Sequence, residues 1–147
     1  MNQADRIPGG LVNRDTPMDF SFNGKKLQGY QGDTLASALL ANGVRLFGRS
    51  FKYHRPRGVF TSGSEEPNAL VELRRGAFKE PNSRATVIEL FNNLEASSQN
   101  HRGPLNFDLM AATDLFLSPF LGAGFYYKTF MWPAAFWEKV YEPIIRM

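Results

Sequence analysis

The chain has no cysteine in its 147 residues. That excludes disulfides, thiolate zinc sites and any iron–sulfur cluster held by cysteine, and it fits a cytosolic protein. Histidine is nearly as scarce. His54 and His101 are distant in sequence, and no His/Asp/Glu spacing matches a zinc site, so no metal ligand is assigned. There is no Gly-x-Gly-x-x-Gly: Gly122-Ala-Gly124 lacks the third glycine and the preceding strand of a dinucleotide fingerprint. No Gly-x-Ser-x-Gly elbow marks a nucleophile. Asp108 and Asp114 are six apart and do not share a helical face. No catalytic residue is assigned, and a self-contained active site is not expected.

Long apolar runs are missing too. No segment reaches the roughly 18 apolar residues of a spanning helix. The nearest, residues 109–125, is broken by Asp114, Ser118 and Pro119. The first sixteen residues are polar and lack the apolar stretch of a secretion signal. The expectation is a soluble, cytoplasmic protein. The net charge of +3 is too mild to imply nucleic acid by itself.

Hydrophobic residues, at 43%, are sufficient for a core. Residues 1–17 read as an extended arm, since Pro8-Gly9-Gly10 and Thr16-Pro17 discourage regular structure. Residues 18–100 read as a small α+β domain. Phe20 and Phe22 alternate with polar neighbours, and Asn23-Gly24 is a strong hairpin signal, with Leu27 and Tyr30 on the returning strand. Asp33 or Thr34 caps a helix whose Leu35, Ala38 and Leu39 share a face, and Gly43 follows its end. Residues 44–47, 69–73, 85–90 and 94–96 are the further strand candidates. Residues 101–147 read as a helical, aromatic-rich extension.

Three constellations are candidates for function. Arg49, Lys52, Arg55 and Arg57 lie within nine residues with Tyr53 and His54 between them and no acid. Arginine grips phosphate with paired hydrogen bonds and lysine acts as a point charge. The loop reads as a contact for a cofactor phosphate or an acidic partner, as a solvated surface loop, or as one ordered by internal ion pairs with Glu65 and Glu66. Ser62-Gly-Ser-Glu-Glu66 can form an anion-binding nest of backbone N–H groups, although its two carboxylates favour pairing with the basic loop. The third is the aromatic run Phe125, Tyr126, Tyr127, Phe130, Trp132, Phe136, Trp137 and Tyr141, eight rings in seventeen residues. Those rings either pack on the domain's own sheet or form an interface, where Trp and Tyr are typical anchors.

Four stretches carry a resemblance. Gly32-Asp-Thr-Leu-Ala-Ser-Ala-Leu-Leu-Ala-Asn-Gly43, Phe51-Lys-Tyr-His-Arg-Pro-Arg-Gly58, Glu65-Glu-Pro-Asn-Ala-Leu-Val71 and Gly124-Phe-Tyr-Tyr-Lys-Thr-Phe-Met-Trp-Pro133 resemble the start of the alpha subunits of heterotetrameric sarcosine oxidases. The likeness runs from about Arg6 to Arg146. It implies a 2Fe–2S-ferredoxin-like β-grasp domain without its cluster, leading to a nucleotide-binding domain that lies beyond this sequence. In that family the complex of alpha, beta, gamma and delta subunits oxidatively demethylates sarcosine to glycine. Electrons pass from FAD through FMN to oxygen, giving hydrogen peroxide. Tetrahydrofolate captures the one-carbon unit as 5,10-methylenetetrahydrofolate, and the alpha subunit also holds NAD.

The resemblance implies that this chain alone binds none of these cofactors and is inactive. Related amine and opine dehydrogenase subunits carry a Cys-x-x-Cys-x-Val stretch. Set against it, Glu66 and Ala69 stand where two thiolates would be. The alternatives are a subunit of such a dehydrogenase, a free-standing β-grasp adaptor and, last, a nucleic-acid binder through the basic loop.

Overall fold

The computed structural model describes residues 3, 5–112, 116, 139 and 140. The chain divides into two compact units, Met1–Met110 and Ala111–Met147. The architecture below is that of the first. The expected helical extension, residues 101–147, is not seen over residues 101–111, which hold loop and the 3₁₀ turn Leu109–Ala111. All seven ring positions from Phe125 to Trp137 lie outside the described residues.

Strands β1 (Asn13–Phe22) and β2 (Lys25–Gln31) form the expected hairpin. Asn23 and Gly24 turn it with φ of 52° and 76°, the left-handed pair that a two-residue connection needs. Helix α1 (Leu35–Ala41) follows. Thr34 caps it: its hydroxyl accepts from the Ser37 N–H while the Ser37 hydroxyl accepts from the Thr34 N–H. Gly43, at φ 76°, takes the left-handed position after the helix.

Next come the short strands β3 (Gly48–Arg49) and β4 (Pro56–Arg57), which pair with each other as a separate two-stranded sheet. Then β5 (Leu70–Arg75), β6 (Phe78–Arg84) and β7 (Leu94–Ser97) complete a mixed sheet of order β2-β1-β7-β5-β6. β7 runs parallel to β1, with Phe20 opposite Leu94 and Phe22 opposite Ala96, and antiparallel to β5. A helix wrapped by a mixed sheet in this order is a β-grasp frame.

The alternation of β1 fixes which face is covered. Phe20, Phe22, Leu27, Val71, Leu73, Leu94 and Ala96 form one core cluster with Leu35, Ala38 and Leu39 of α1 and with Phe47. Ser21, Lys26, Arg74 and Glu95 line shallow depressions on the solvent-facing side.

Two strand expectations fail, for one reason each. Residues 44–47 form no strand: the Val44 N–H returns to the Leu39 carbonyl and closes α1, and the first bond toward β4 comes at the end of the stretch, from the Phe47 N–H to Arg57 O. Residues 85–90 form no strand either; the strand is β6, just before them. Their carbonyls serve the start of α1 instead. The Leu35 N–H donates to Ile88 O at 2.8 Å and the Ala36 N–H to Ala85 O at 2.9 Å. Those are orphan donors of a helix N-terminus, which a buried end must satisfy somewhere. β6 escapes sequence reading because Phe78-Lys-Glu-Pro-Asn-Ser-Arg84 is polar and contains Pro81, a residue that sheets tolerate at an edge.

Residues 1–17 are not all arm, since β1 starts at Asn13, with a register shift before Pro17. The part before it is tied down. Arg6 grips the buried Asp33 with two parallel bonds of 3.0 and 2.6 Å and lies 5.1 Å from the centre of the Tyr30 ring.

Candidate functional site

The basic loop is a tight excursion between β3 and β4. Gly48 pairs with Arg57 and Arg49 with Pro56. Across the loop, the Ser50 N–H donates to Arg55 O at 2.9 Å, and the His54 N–H donates to Ser50 O at 3.0 Å. His54 takes a left-handed backbone, φ 52°, to close the turn.

Arg49 is spent inside the fold. Its Nε and Nη2 donate to the Leu105 carbonyl at 3.1 and 2.8 Å, Nη2 also reaches Asn106 O at 3.2 Å, and Nη1 donates to His54 O at 3.0 Å. A planar guanidinium suits such a fork, and it ties the loop to residues 105 and 106. His54 adds a second tie: its Nδ1 lies 2.8 Å from Asp108 Oδ2. Asp108 is buried and organises its own turn by accepting the Arg102 and Met110 N–H groups at 2.9 and 3.0 Å. Burial alone would push the Asp108 carboxyl up. The two backbone donors and the His54 ring outweigh burial and hold it below the ordinary aspartate value. With an ionised partner, His54 Nδ1 is the donor of that bond.

Arg57 donates to Asn68 Oδ1 at 2.6 Å. Lys52 and Arg55 instead flank one ring: Lys52 Nζ is 5.5 Å and Arg55 Cζ 4.8 Å from the centre of Tyr53. Both distances are within cation–π range. Partial desolvation draws the Lys52 ammonium below the usual lysine value. The six loop residues therefore separate into two groups. Arg49, His54 and Arg57 shape the loop from within, and Lys52, Tyr53 and Arg55 form a stacked cationic cluster.

The acidic stretch behaves differently from its sequence expectation. Glu66 makes no ion pair with the basic loop. Its side chain is fully buried and accepts four backbone N–H groups. Oε2 takes Phe60 and Thr61 at 2.7 and 2.5 Å; Oε1 takes Asn68 and Ala69 at 2.6 and 3.0 Å. Burial raises this carboxyl, but the four donors prevail and hold it below the ordinary glutamate value. Glu65 next to it stays exposed on the 3₁₀ turn Gly63–Glu65.

Asp108 had no signal in the sequence, because its partner is 54 residues away and no motif links them. Glu66 was singled out as an ion-pair partner for the basic loop and as a position where a thiolate would stand. Its nest draws on two separate backbone pairs, which no local pattern reveals. Among the described residues no group of three or more His, Asp or Glu side chains converges as a metal site. No helix of the described residues is long and apolar enough to cross a membrane.

Frame and loop together define a ferredoxin-like β-grasp domain. The chain belongs to the family of 2Fe–2S iron–sulfur cluster binding domains, whose model matches residues 15–101. It is 65% identical over 142 residues to the sarcosine oxidase alpha subunit of Rhizobium meliloti (strain 1021), and 37% identical over 106 residues to that of Corynebacterium sp. (strain U-96). These matches cover 96% and 70% of this chain but only 14% and 11% of those relatives, so the chain spans about a seventh of their length or less. L-proline dehydrogenase from P. horikoshii matches 59% of this chain and 16% of its own at 29% identity, with a TM-score of 0.47, too slight to bear on function.

The residues present do not fit the family's cluster. A 2Fe–2S centre needs thiolate or imidazole ligands, and the chain has no cysteine. Both Glu66 carboxylate oxygens are already taken up by backbone N–H donors, so this side chain does not stand in for the missing thiolates.

Proposed function

We propose that this chain is the N-terminal β-grasp part of a sarcosine oxidase alpha subunit, acting as a docking and cofactor-bordering module without redox chemistry of its own. The carrying observation is the 65% identity across 96% of the chain. The parent complex would be a cytoplasmic flavoenzyme that oxidatively demethylates sarcosine to glycine. It would produce hydrogen peroxide and, with tetrahydrofolate, 5,10-methylenetetrahydrofolate. NAD would be held by the rest of the alpha chain, FAD by the beta subunit and FMN at the alpha–beta boundary, with gamma and delta subunits completing the complex.

Within that reading, Lys52, Tyr53 and Arg55 form the contact, either to a flavin or nicotinamide phosphate or to a neighbouring subunit. Arg49, His54 and Arg57 hold that cluster in place. Exposed Phe51, Phe107 and Leu109, carried by the two segments that Arg49 ties together, add apolar area to the same contact. Phe125, Tyr126, Tyr127, Phe130, Trp132, Phe136 and Trp137 seat the module against the remainder of the alpha chain.

The test uses the assembled oxidase with a full-length alpha subunit. Lys52→Ala/Arg55→Ala is expected to lower subunit recovery or flavin content, with sarcosine-dependent peroxide formation falling in parallel. Unchanged assembly, flavin content and turnover would remove the loop's assigned role. Oxidation of sarcosine by the 147-residue chain alone would overturn the module reading.

A further inference from the structure

We infer that the loop of residues 60–69 keeps the anion-holding backbone nest of a cluster-binding domain, and that the Glu66 carboxylate has become its permanent occupant in place of iron and sulfide. The inference rests on family membership and on geometry, independently of the function proposed above. Iron–sulfur sites characteristically present converging backbone N–H groups to an anionic centre. Here the loop still presents four of them, as two successive pairs: Phe60 with Thr61, and Asn68 with Ala69. Each pair meets one carboxylate oxygen, so charge and geometry are matched on both sides. The occupant is fully buried, as a cluster's ligands would be.

The seat is continuous with the core. Ala69 is completely buried, and its carbonyl accepts the Ala85 N–H at 2.9 Å, next to the residues that serve the start of α1. Ala69 thus joins the seat to Ala85, whose own carbonyl accepts the Ala36 N–H at the start of α1. A glutamine at 66 would keep the shape but turn an NH₂ group toward one pair of N–H donors. An alanine would leave four buried donors around an empty space, and unmet buried donors are costly.

The charged groups nearby do not compete for the seat. Arg57 of β4 is engaged by Asn68 Oδ1, and Glu65 is exposed. The carboxylate is stabilised by backbone dipoles, so an external anion of similar shape should replace it.

The experiment compares thermal unfolding of the unaltered chain, Glu66→Gln and Glu66→Ala at neutral pH, each in sodium formate and in sodium chloride of equal ionic strength. Glu66→Gln is expected to melt on the order of 10 °C lower, as loss of a buried hydrogen-bond network does in a domain of this size. Formate should raise the melting temperature of Glu66→Ala well beyond any shift it gives the other two, because only that variant has an empty seat. Should Glu66→Ala not fold in chloride, its refolding yield in formate is the equivalent reading, and recovery there supports the seat. Glu66→Gln melting within a degree of the unaltered chain would overturn the inference. So would formate acting alike on all three proteins, or giving no recovery of Glu66→Ala by either measure.

Discussion

Three buried carboxylates brace the described unit, each with a different set of donors. Asp33 takes the Arg6 guanidinium, the Ser37 hydroxyl at 2.7 Å and the Tyr30 N–H at 3.0 Å. Asp108 takes His54 and two backbone groups, and Glu66 takes backbone alone. Burial raises all three, but the donors outweigh it and leave each below its ordinary value. A carboxyl depressed in the folded state contributes stability that is fully present above its unfolded pKa, about 4. That contribution is lost as pH falls through the folded values. Melting temperature should therefore be level near neutrality and fall steadily below about pH 4; a series of melts from pH 7 to 2.5 checks this, and a flat profile contradicts it. Arg6→Met should cost about 3 kcal/mol, since it strands a buried charge. Arg6→Met/Asp33→Asn should cost less than the two single changes added together, which a double-mutant cycle measures.

At the scale of elements, close approach and clamping decide what is tolerated. A Cβ at Gly29 of β2 would run into Leu90 Cδ2 and come within 3.0 Å of Ala38 Cβ. Gly29→Ala should cost about 1–3 kcal/mol by overpacking, read from urea unfolding. Gly58 is less forgiving, because its Cβ would strike the Arg45 carbonyl, which is backbone and cannot swing aside. The Arg49 clamp depends on a planar fork. Arg49→Lys keeps the charge yet cannot reach Leu105 O twice along with Asn106 O and His54 O, so it should cost roughly 1–3 kcal/mol. Amide exchange at Phe107 and Leu109, whose N–H groups bond Pro104 O and Arg102 O, should speed up in that variant. Unchanged protection there would show that His54 and Asp108 suffice.

At the scale of the molecule, a cluster-binding frame persists where no cluster can bind. Its helix and sheet enclose a core that includes Phe47, whose ring is tilted against Phe22 at 6.3 Å between centroids. None of the hydrophobic side chains in that core depends on iron. Anaerobic treatment of the chain with ferrous iron and sulfide should leave no visible charge-transfer absorption and no change in melting temperature. A retained chromophore after desalting would contradict the account of the loop.

What the residues alone determined was whatever depends on local periodicity and turn chemistry. Alternating Phe20 and Phe22 with Asn23-Gly24 dictates the first hairpin, and Thr34 with Leu35, Ala38 and Leu39 dictates α1. The absence of cysteine rules out the cluster before any fold is known. Tertiary structure decided how distant backbone groups meet. Residues 85–90 look like a strand by composition, but they became a turn because the first N–H groups of α1 needed their carbonyls. The basic loop looked like six cations and rings facing outward. Only the fold shows that Arg49 and His54 are bound by residues 105–108, which no spacing rule connects to them. Glu66 looked like a partner for those cations, yet it is satisfied by four N–H groups that the folded loop of residues 60–69 turns toward it. Hydrophobic pattern is written along the chain, whereas the satisfaction of buried polar groups is a property of the folded whole.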